Sequence, residues 1–225
     1  MKIAIRRGHN RQAIGSVGLV NEVIENENIL DPTIKYLKQL GHEVLDVSPS
    51  NMTSASDLAY GVKKANDWGA DLFVSIHNNK AYNTYNGAIG SECYVYSKTD
   101  NHKDEVIAQR IVNNLGALGF KNRGVKESTS FYELKNTKMN AVIVECFFVE
   151  ATEDVALYKK LGADKLGKAI AEGIANKKVP TPVASLIRVF KNDKQIGAFS
   201  SMANAIKTAE QAMSEGARTV RIEKI

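Results

Sequence analysis

The chain has 225 residues, of which 44% are hydrophobic and 24% charged. This composition excludes wholesale disorder and suits one full domain with a small addition. The formal net charge is +5, but the basic residues are spread along the chain and form no stripe interleaved with aromatic residues. Nucleic-acid binding is therefore not expected, and a mildly basic chain is compatible with an anionic polymer as its partner.

Three features of the sequence bear on the compartment in which the protein works. The apolar segment within residues 1–8 is too short for a signal peptide and is followed at once by charge, so synthesis in the cytoplasm is expected, with release by another component if the protein acts outside. No apolar run approaches the ~20 residues that a membrane-spanning helix needs. Cys93 and Cys146 lie in separate apolar runs outside any CxxC motif, which predicts buried reduced thiols and no zinc–thiolate site.

Hydrophobic periodicity predicts strands that alternate with helices as far as residue 176. The expected strands are short apolar or alternating runs at 2–6, 44–47, 72–76, 93–96 and 141–144. The expected helices carry apolar residues at helical spacing and lie near 31–40, 58–66, 106–118 and 161–174. Asp31 and Pro32 suit the first residues of a helix, so the first helix is predicted to begin there. This alternation predicts an α/β domain with a mainly parallel sheet and helices on both faces.

The composition changes at residues 177–184, which contain two of the chain's four prolines and are predicted to be a linker. Residues 185–225 then predict a small α+β module in the order strand, strand, helix, strand, with Asn192 and Asp193 in the first turn. A module of about forty residues is near the lower limit for independent folding. It is therefore expected to pair with itself in a homodimer or to pack on the larger domain.

Two histidines stand at the ends of predicted strands, His9 after the first strand and His77 after the third. In open α/β sheets, sites form beyond the carboxyl ends of the strands, so both imidazoles reach one crevice if these strands are neighbours. Neutral imidazole is the usual histidine form in zinc sites. A pair of unrelated histidines is the alternative interpretation, because a single histidine at a strand end is common.

Glu145 strengthens the case for a site, because it ends the buried run 141–144 and so stands at the end of another strand. Buried glutamates seldom lack a partner, so Glu145 is a salt-bridged core carboxylate, a metal ligand or a general base. A catalytic zinc typically takes three protein ligands and leaves one position open. The acidic run offers three candidates for the third ligand, Glu22, Glu25 and Glu27, and the residues alone do not choose among them.

An ordered set of short segments resembles the zinc-dependent N-acetylmuramoyl-L-alanine amidases of the amidase-3 type, which occur in bacterial autolysins and phage endolysins. The segments are Gly8-His9, Gly18-Leu19-Val20-Asn21-Glu22, Ser75-Ile76-His77-Asn78-Asn79, Val144-Glu145 and Arg123-Gly124-Val125. The resemblance covers residues 1–176. It implies His9, Glu22 and His77 as zinc ligands and Glu145 as the catalytic glutamate. Asn78, Asn79 and Arg123 are then expected to contact the substrate.

The resemblance also implies a substrate, the amide bond between N-acetylmuramic acid and L-alanine in peptidoglycan. A catalytic domain followed by a small module is similar to a phage or prophage endolysin that lyses its bacterial host. The C-terminal unit distantly resembles a SPOR-type peptidoglycan-binding repeat, with dimerisation or packing as the alternative. Two other functions remain open for the chain: a zinc carboxypeptidase that cuts the peptide stem, and a catalytically inactive wall-binding protein.

Overall fold

The computed structural model describes residues 1–98, 103–180 and 186–224. The chain divides into two compact units, Met1–Val179 and Pro180–Ile225. The first residues of the predicted linker pack on the larger unit, because Lys178 and the backbone of Val179 both donate hydrogen bonds to Glu172, at 2.7 and 3.1 Å. The remainder of that predicted linker, 181–184, lies outside the described residues. None of the helices in the described ranges is long and apolar enough to cross a membrane.

The larger unit alternates strands and helices as predicted. Its elements are β1 (Lys2–Arg7), α1 (Glu22–Gln39), β2 (Glu43–Asp46), α2 (Ser54–Trp68), β3 (Leu72–Asn79), β4 (Ser91–Val95), α3 (Lys103–Ala117), β5 (Asn122–Glu127), α4 (Tyr132–Asn136), β6 (Asn140–Phe148), α5 (Thr152–Leu161) and α6 (Ala163–Ala175). The strands form one six-stranded sheet in the order β2-β1-β3-β6-β4-β5. Strands β2, β1, β3 and β6 are parallel, whereas β4 pairs antiparallel with β6 and parallel with β5. The predicted fold class, a mainly parallel sheet with helices, is confirmed.

The two faces of the sheet have separate cores. One core contains Val74 and Val144 and lies under helices α1, α3 and α6. The other contains Phe73 and Ile143 and lies on the face of α2 and α4. Because successive strand residues point to opposite faces, the polar residues in step with the second core also point toward α2 and α4. They are Arg6, Ser75, His77 and Glu145.

The predicted start of the first helix at Asp31 and Pro32 is wrong. Helix α1 begins at Glu22, and the side chain of Asn21 caps it by accepting a hydrogen bond from the first turn at 3.2 Å. An internal proline costs ~3 kcal/mol, but the buried face of α1 continues on both sides of Pro32 as far as Leu37. Packing of this face therefore outweighs the proline, and Glu22 stands in the first turn of the helix.

Other differences concern short elements of the larger unit. Neither the edge strand β5 nor the five-residue helix α4 was predicted. The helix expected at 161–174 is α6, which begins after Gly162 with φ of 79°, whereas α5, which precedes it, was not predicted. Cys93 and Cys146 are buried free thiols, as predicted.

The smaller unit has the predicted order of elements: β7 (Ile187–Lys191), β8 (Lys194–Phe199), α7 (Met202–Ser214) and β9 (Val220–Lys224). Its three strands form an antiparallel sheet in the order β8-β7-β9. Asn192 and Asp193 have φ of 49° and 65°, as a two-residue hairpin turn requires. Ile187, Val189, Ala205 and Ala209 form its buried core.

Candidate active site

The three predicted ligands His9, Glu22 and His77 converge at the carboxyl ends of β1 and β3. These strands are parallel neighbours, so both histidines emerge at the same edge of the sheet. Oε1 of Glu22 lies 3.3 Å from Nε2 of His9 and 3.1 Å from Nδ1 of His77. One potential ligand atom from each residue lies within 4.8 Å of the others. Two imidazoles and a carboxylate are a donor set typical of catalytic zinc.

The backbone around these residues makes room for their side chains. His9 itself has φ of 64°, a left-handed conformation that is uncommon outside glycine. A Cβ on Gly8 would lie 2.1 Å from the ring of His77, and a Cβ on Gly15 would lie 2.5 Å from the His9 ring and 2.6 Å from Glu22. Both positions therefore require glycine, because the candidate ligands occupy the space that a side chain would need.

The two other carboxylates considered as a third ligand lie elsewhere on α1. Glu25 accepts a hydrogen bond from the hydroxyl of Tyr158 at 2.5 Å. Glu27 forms an exposed ion pair with Arg11, also at 2.5 Å. The structure thus brings Glu22 to the histidines and directs Glu25 and Glu27 to other partners.

A buried cluster of charged side chains lies next to His77. Arg6 is completely buried and pairs with both Asp57 of α2 and Glu133 of α4, the latter at 3.1 Å. Oε2 of Glu133 lies 3.8 Å from Nε2 of His77. Asn10, also completely buried, donates to Asp57 at 2.5 Å. Buried charges are tolerated only when they are paired, so this cluster ties the two helices to the strand ends that carry the candidate ligands.

The carboxylates and His77 shift one another's pKa values. Burial alone raises the pKa of Glu22, but hydrogen bonds with His77 and His9 outweigh burial and hold it well below its ordinary value. Burial lowers the pKa of His77, but the nearby carboxylates of Glu133 and Glu22 outweigh burial and raise the pKa to about 10. A position that stabilises an imidazolium between two carboxylates also favours a divalent cation.

Glu145 lies directly opposite His77 across the β3–β6 pair and opposite Glu92 across the β6–β4 pair. Its Oε2 atom is buried and has no hydrogen-bond partner among the described residues. Burial raises the pKa of Glu145 to about 7; the neighbouring Glu22, Glu92 and Glu133 add to this, and His77 opposes it. A carboxyl group with this pKa exchanges a proton readily near neutral pH, which suits a general base.

A cavity of about 230 Å³ opens beside this carboxylate. His77, Glu133 and Glu145 supply its polar lining, and the other lining residues are Leu58, Phe131, Tyr132 and Ile143. Phe131 and Tyr132 are exposed at 39% and 42%. One candidate ligand, His77, and the candidate base Glu145 therefore line a space that is open to a ligand.

The three predicted substrate contacts differ in their placement. Nδ2 of Asn79 donates to Glu92 at 3.0 Å, and Nε of Arg123 donates to the same carboxylate at 2.5 Å. Asn78 is completely buried, and its Nδ2 donates to Asn26 at 2.7 Å. Its side chain is thus out of reach, so the expectation that Asn78 contacts substrate is corrected. Its backbone N–H instead donates to Glu22 at 3.3 Å.

Sequence reasoning missed Arg6, Glu92 and Glu133. Arg6 and Glu92 are charged residues inside strands, and each is almost fully buried. The sequence feature that could have revealed them is a charged residue inside an otherwise apolar strand, because a charge that is buried there needs a partner. Glu133 left no comparable signal, because helix α4 is too short for a periodic pattern.

An α/β fold with a His/Glu/His cluster beside a partly buried glutamate defines a class of candidate metal-dependent hydrolases. The family model described as N-acetylmuramoyl-L-alanine amidase matches residues 3–176. The chain therefore belongs to the N-acetylmuramoyl-L-alanine amidase family.

The chain is also similar to three proteins found by comparison of sequence and structure. A protein of Clostridium perfringens (strain 13 / Type A) is 48% identical over 80% of this chain and 53% of its own length. The amidase CwlM of Bacillus licheniformis is 31% identical over 96% of this chain and 82% of its own length. The solved catalytic domain of the CD27L endolysin, which targets Clostridia difficile, has a TM-score of 0.70 and 32% identity over 80% of this chain and 99% of that domain. The chain spans about half the length of the Clostridium perfringens relatives that it matches.

Proposed function

We propose that the chain is a zinc-dependent amidase that hydrolyses the bond between N-acetylmuramic acid and L-alanine in peptidoglycan. One observation carries the proposal: His9, Glu22 and His77 converge, with Glu145 directly opposite His77, in a chain of the amidase family. An active hydrolase needs both a place for the metal and a base beside it.

The donor set fits zinc on chemical grounds. His9, Glu22 and His77 would hold the ion, and the buried carboxylates around His77 favour positive charge at that position. When bound, zinc supplies Lewis acidity to the attacking water and to the carbonyl oxygen. Glu133 lies beside His77 and is itself paired with Arg6, so we assign Glu133 and Arg6 the role of positioning His77.

Glu145 moves the proton in the proposed reaction. The carboxyl group accepts the proton of the attacking water and returns it to the departing nitrogen of L-alanine. Its Oε2 atom has no hydrogen-bond partner among the described residues, and Glu145 lines the cavity beside His77. The carboxyl group is therefore available for both steps.

Asn79 and Arg123 are the proposed substrate contacts, and Lys126 joins them. Arg123 and Lys126 both pair with the buried Glu92, and their side chains remain 32% and 36% exposed. Because these two cations share one carboxylate, the surface around Arg123 and Lys126 has an excess of positive charge. That charge suits the carboxylates of a stem peptide.

The proposed biological role is that of an endolysin, which reaches the wall after release and lyses the host. The endolysin of Bacillus phage SPP1 is 32% identical over 68% of this chain. The smaller unit, which carries the weakly SPOR-like pattern, would hold the enzyme on the wall or join two copies of the chain. Its buried core of four residues supports a need for such a partner surface.

Digestion of purified cell walls tests the proposed activity, with fragments read by mass spectrometry. The wild-type chain is expected to release glycan strands without stems and to create new L-alanine amino termini. Glu145→Gln keeps the shape of the side chain and is expected to lose about 10²-fold or more in rate. Glu43→Gln, on the exposed edge strand β2, is the matched control and should cleave normally.

Other outcomes would assign other functions. Cleavage within the peptide stem would identify a carboxypeptidase and overturn the assigned bond. Wall binding without cleavage by the wild-type chain would identify an inactive binding protein. Normal cleavage by Glu145→Gln would remove Glu145 from the proposed role.

A further inference from the structure

A second cavity, of about 470 Å³, lies beyond the same carboxyl edge of the sheet. Its walls come from segments 17–19 and 83–86 together with Glu150 and Thr152. The volume falls within the roughly 300–1,000 Å³ of ordinary small-molecule sites. The cavity shares no lining residue with the one beside Glu145.

Each wall of this cavity continues directly from an element of the candidate active site. Residues 17–19 lead into Glu22, and the loop at 83–86 follows the strand that carries His77. Glu150 stands five positions after Glu145, a separation of at most about 17 Å along the chain. A polymer that has one unit at Glu145 can therefore place another unit nearby along the strand at this cavity.

One of the lining residues, Glu150, has a carboxylate oxygen without a hydrogen-bond partner among the described residues. Glu150 is only 2% exposed, and its Oε1 accepts backbone hydrogen bonds from Ala81 and Tyr82 at 2.8 and 2.9 Å. Its Oε2 is buried and has no hydrogen-bond partner among the described residues. A buried carboxylate oxygen without a donor is costly. A ligand that donates a hydrogen bond at this point would satisfy that oxygen.

The rim of the cavity presents an aromatic pair. Tyr85 lines the cavity and stacks on Tyr82, with ring centroids 5.4 Å apart and an interplanar angle of 24°. The two residues are 37% and 55% exposed. The backbone of Tyr85 is held by hydrogen bonds with Glu150 and Thr152, at 3.3 and 3.0 Å. The ring of Tyr85 is therefore an exposed platform on a fixed backbone.

The remaining lining is polar and carries no cation. Asn83 and Asn86 offer side-chain amides, Thr84 offers a hydroxyl, and Val17 and Leu19 add apolar contacts. Among the described lining residues there is no lysine or arginine; Lys80 lies at the edge, where its Nζ donates to the backbone oxygen of Val17 at 2.6 Å. An uncharged ring with an apolar face, hydroxyl donors and an acetyl methyl group matches every part of this lining.

We propose that this cavity binds an uncharged N-acetylhexosamine of the glycan strand, next to the muramic acid whose amide bond is cleaved. The sugar face stacks on Tyr85, and a sugar hydroxyl or amide N–H donates to Oε2 of Glu150. The inference rests on the proposed function, because it takes peptidoglycan as the polymer. The glycan strand then occupies this cavity, and the acidic stem peptide contacts Arg123 and Lys126.

Binding of an N-acetylglucosamine tetrasaccharide to the full chain, measured by calorimetry, tests the proposal. Tyr85→Ala and Glu150→Gln are each expected to weaken binding by about tenfold or more. Tyr85→Phe keeps the ring and should bind as the wild type does. Tyr60→Ala removes an equally exposed tyrosine on α2 and serves as the matched control. Because Tyr85 is exposed, its replacement is expected to leave the fold intact, which circular dichroism checks.

Two results would overturn the proposal. One is wild-type affinity for the tetrasaccharide in both Tyr85→Ala and Glu150→Gln. The other is that these variants lose affinity for a lysine-containing stem pentapeptide and not for the sugar, which would make the ligand an ammonium group. A wild-type chain that binds sugar through Tyr85 but releases no L-alanine termini would instead contradict the proposed function and leave this site standing.

Discussion

Glu145 lies directly opposite His77 in the register of the parallel β3–β6 pair. A single pair of neighbouring strands therefore positions the candidate general base beside a candidate metal ligand. The register shifts immediately after this pair, between His77 and Asn79, so the strands diverge from regular pairing at the point where the cavity begins. Irregular pairing of this kind often re-aims side chains next to active sites.

Removal of divalent metal by a chelator is expected to abolish wall cleavage, and zinc is expected to restore it. Zinc at a hundred times its dissociation constant stabilises the folded state by about 2.7 kcal/mol, so it should raise the melting temperature of the wild-type chain. His77→Ala should show no such rise, because it lacks a ligand. His42→Ala, in the turn before β2, is the control. An equal zinc-dependent rise in His77→Ala would contradict the assigned ligand set.

Gly15→Ala is expected to lower both the stability and the zinc affinity of the chain. Gly15 has φ of 71°, and an added Cβ would lie 2.5 Å from the ring of His9. Gly41 has φ of 85° but open space around it, so Gly41→Ala isolates the backbone strain of about 1 kcal/mol. Thermal unfolding and zinc titration of both variants separate the two effects. Unchanged zinc affinity in Gly15→Ala would refute the steric argument.

Asp57→Ala is expected to destabilise the fold by about 3 kcal/mol, because it leaves part of the buried charge of Arg6 uncompensated. Asp67→Ala, on the same helix, removes an ion pair with Lys63 in which both side chains are more than half exposed. That change should cost less than about 1 kcal/mol. Denaturant unfolding measures both. A similar decrease in the free energy of unfolding in the two variants would show that the buried cluster stabilises the fold no more than an exposed ion pair does.

Glu92 is expected to make stability depend on pH in the acid range. Burial raises its pKa, but hydrogen bonds from Arg123, Lys126 and Tyr94 outweigh burial and leave it below its ordinary value of 4.5. Because the folded pKa is the lower one, ionised Glu92 stabilises the fold above that ordinary value. This contribution is lost as the pH falls through the folded pKa.

The free energy of unfolding of the wild type should therefore exceed that of Glu92→Gln more at about pH 7 than at about pH 3. Denaturant unfolding of both proteins at the two pH values checks this. Glu43→Gln, on the exposed edge strand β2, controls for general loss of a carboxylate. If the free energy of unfolding of the wild type exceeded that of Glu92→Gln by the same amount at both pH values, stability would not depend on the ionisation of Glu92.

A chain truncated to residues 1–179 should fold and keep its activity on soluble muramyl peptides. Those residues form one compact unit with its own cores. If the smaller unit binds wall, the truncated chain should sediment less readily with intact walls. If it joins two copies, the truncated chain should be a monomer in ultracentrifugation where the full chain is a dimer. A truncated chain that matches the full chain in wall binding and mass would leave the smaller unit without either role.

Local pattern in the sequence was enough to predict much of the architecture. The alternating strands and helices, the buried cysteines and the strand–strand–helix–strand order of the smaller unit all follow from periodicity and turn residues. These properties depend on residues close together in the chain, which is why periodicity reports them. The placement of His9 just after β1 belongs to the same group, whereas His77, predicted to follow its strand, lies within the last residues of β3.

Only the tertiary structure decided which distant side chains meet. Nothing local distinguishes Glu22 from Glu25 and Glu27; the start of α1 turns Glu22 alone toward the histidines. Burial of Asn78, and the unused oxygen of Glu150, likewise depend on how separate segments pack. A side chain's partners, burial and charge environment are set by contacts across the fold, and a one-dimensional pattern carries no record of them.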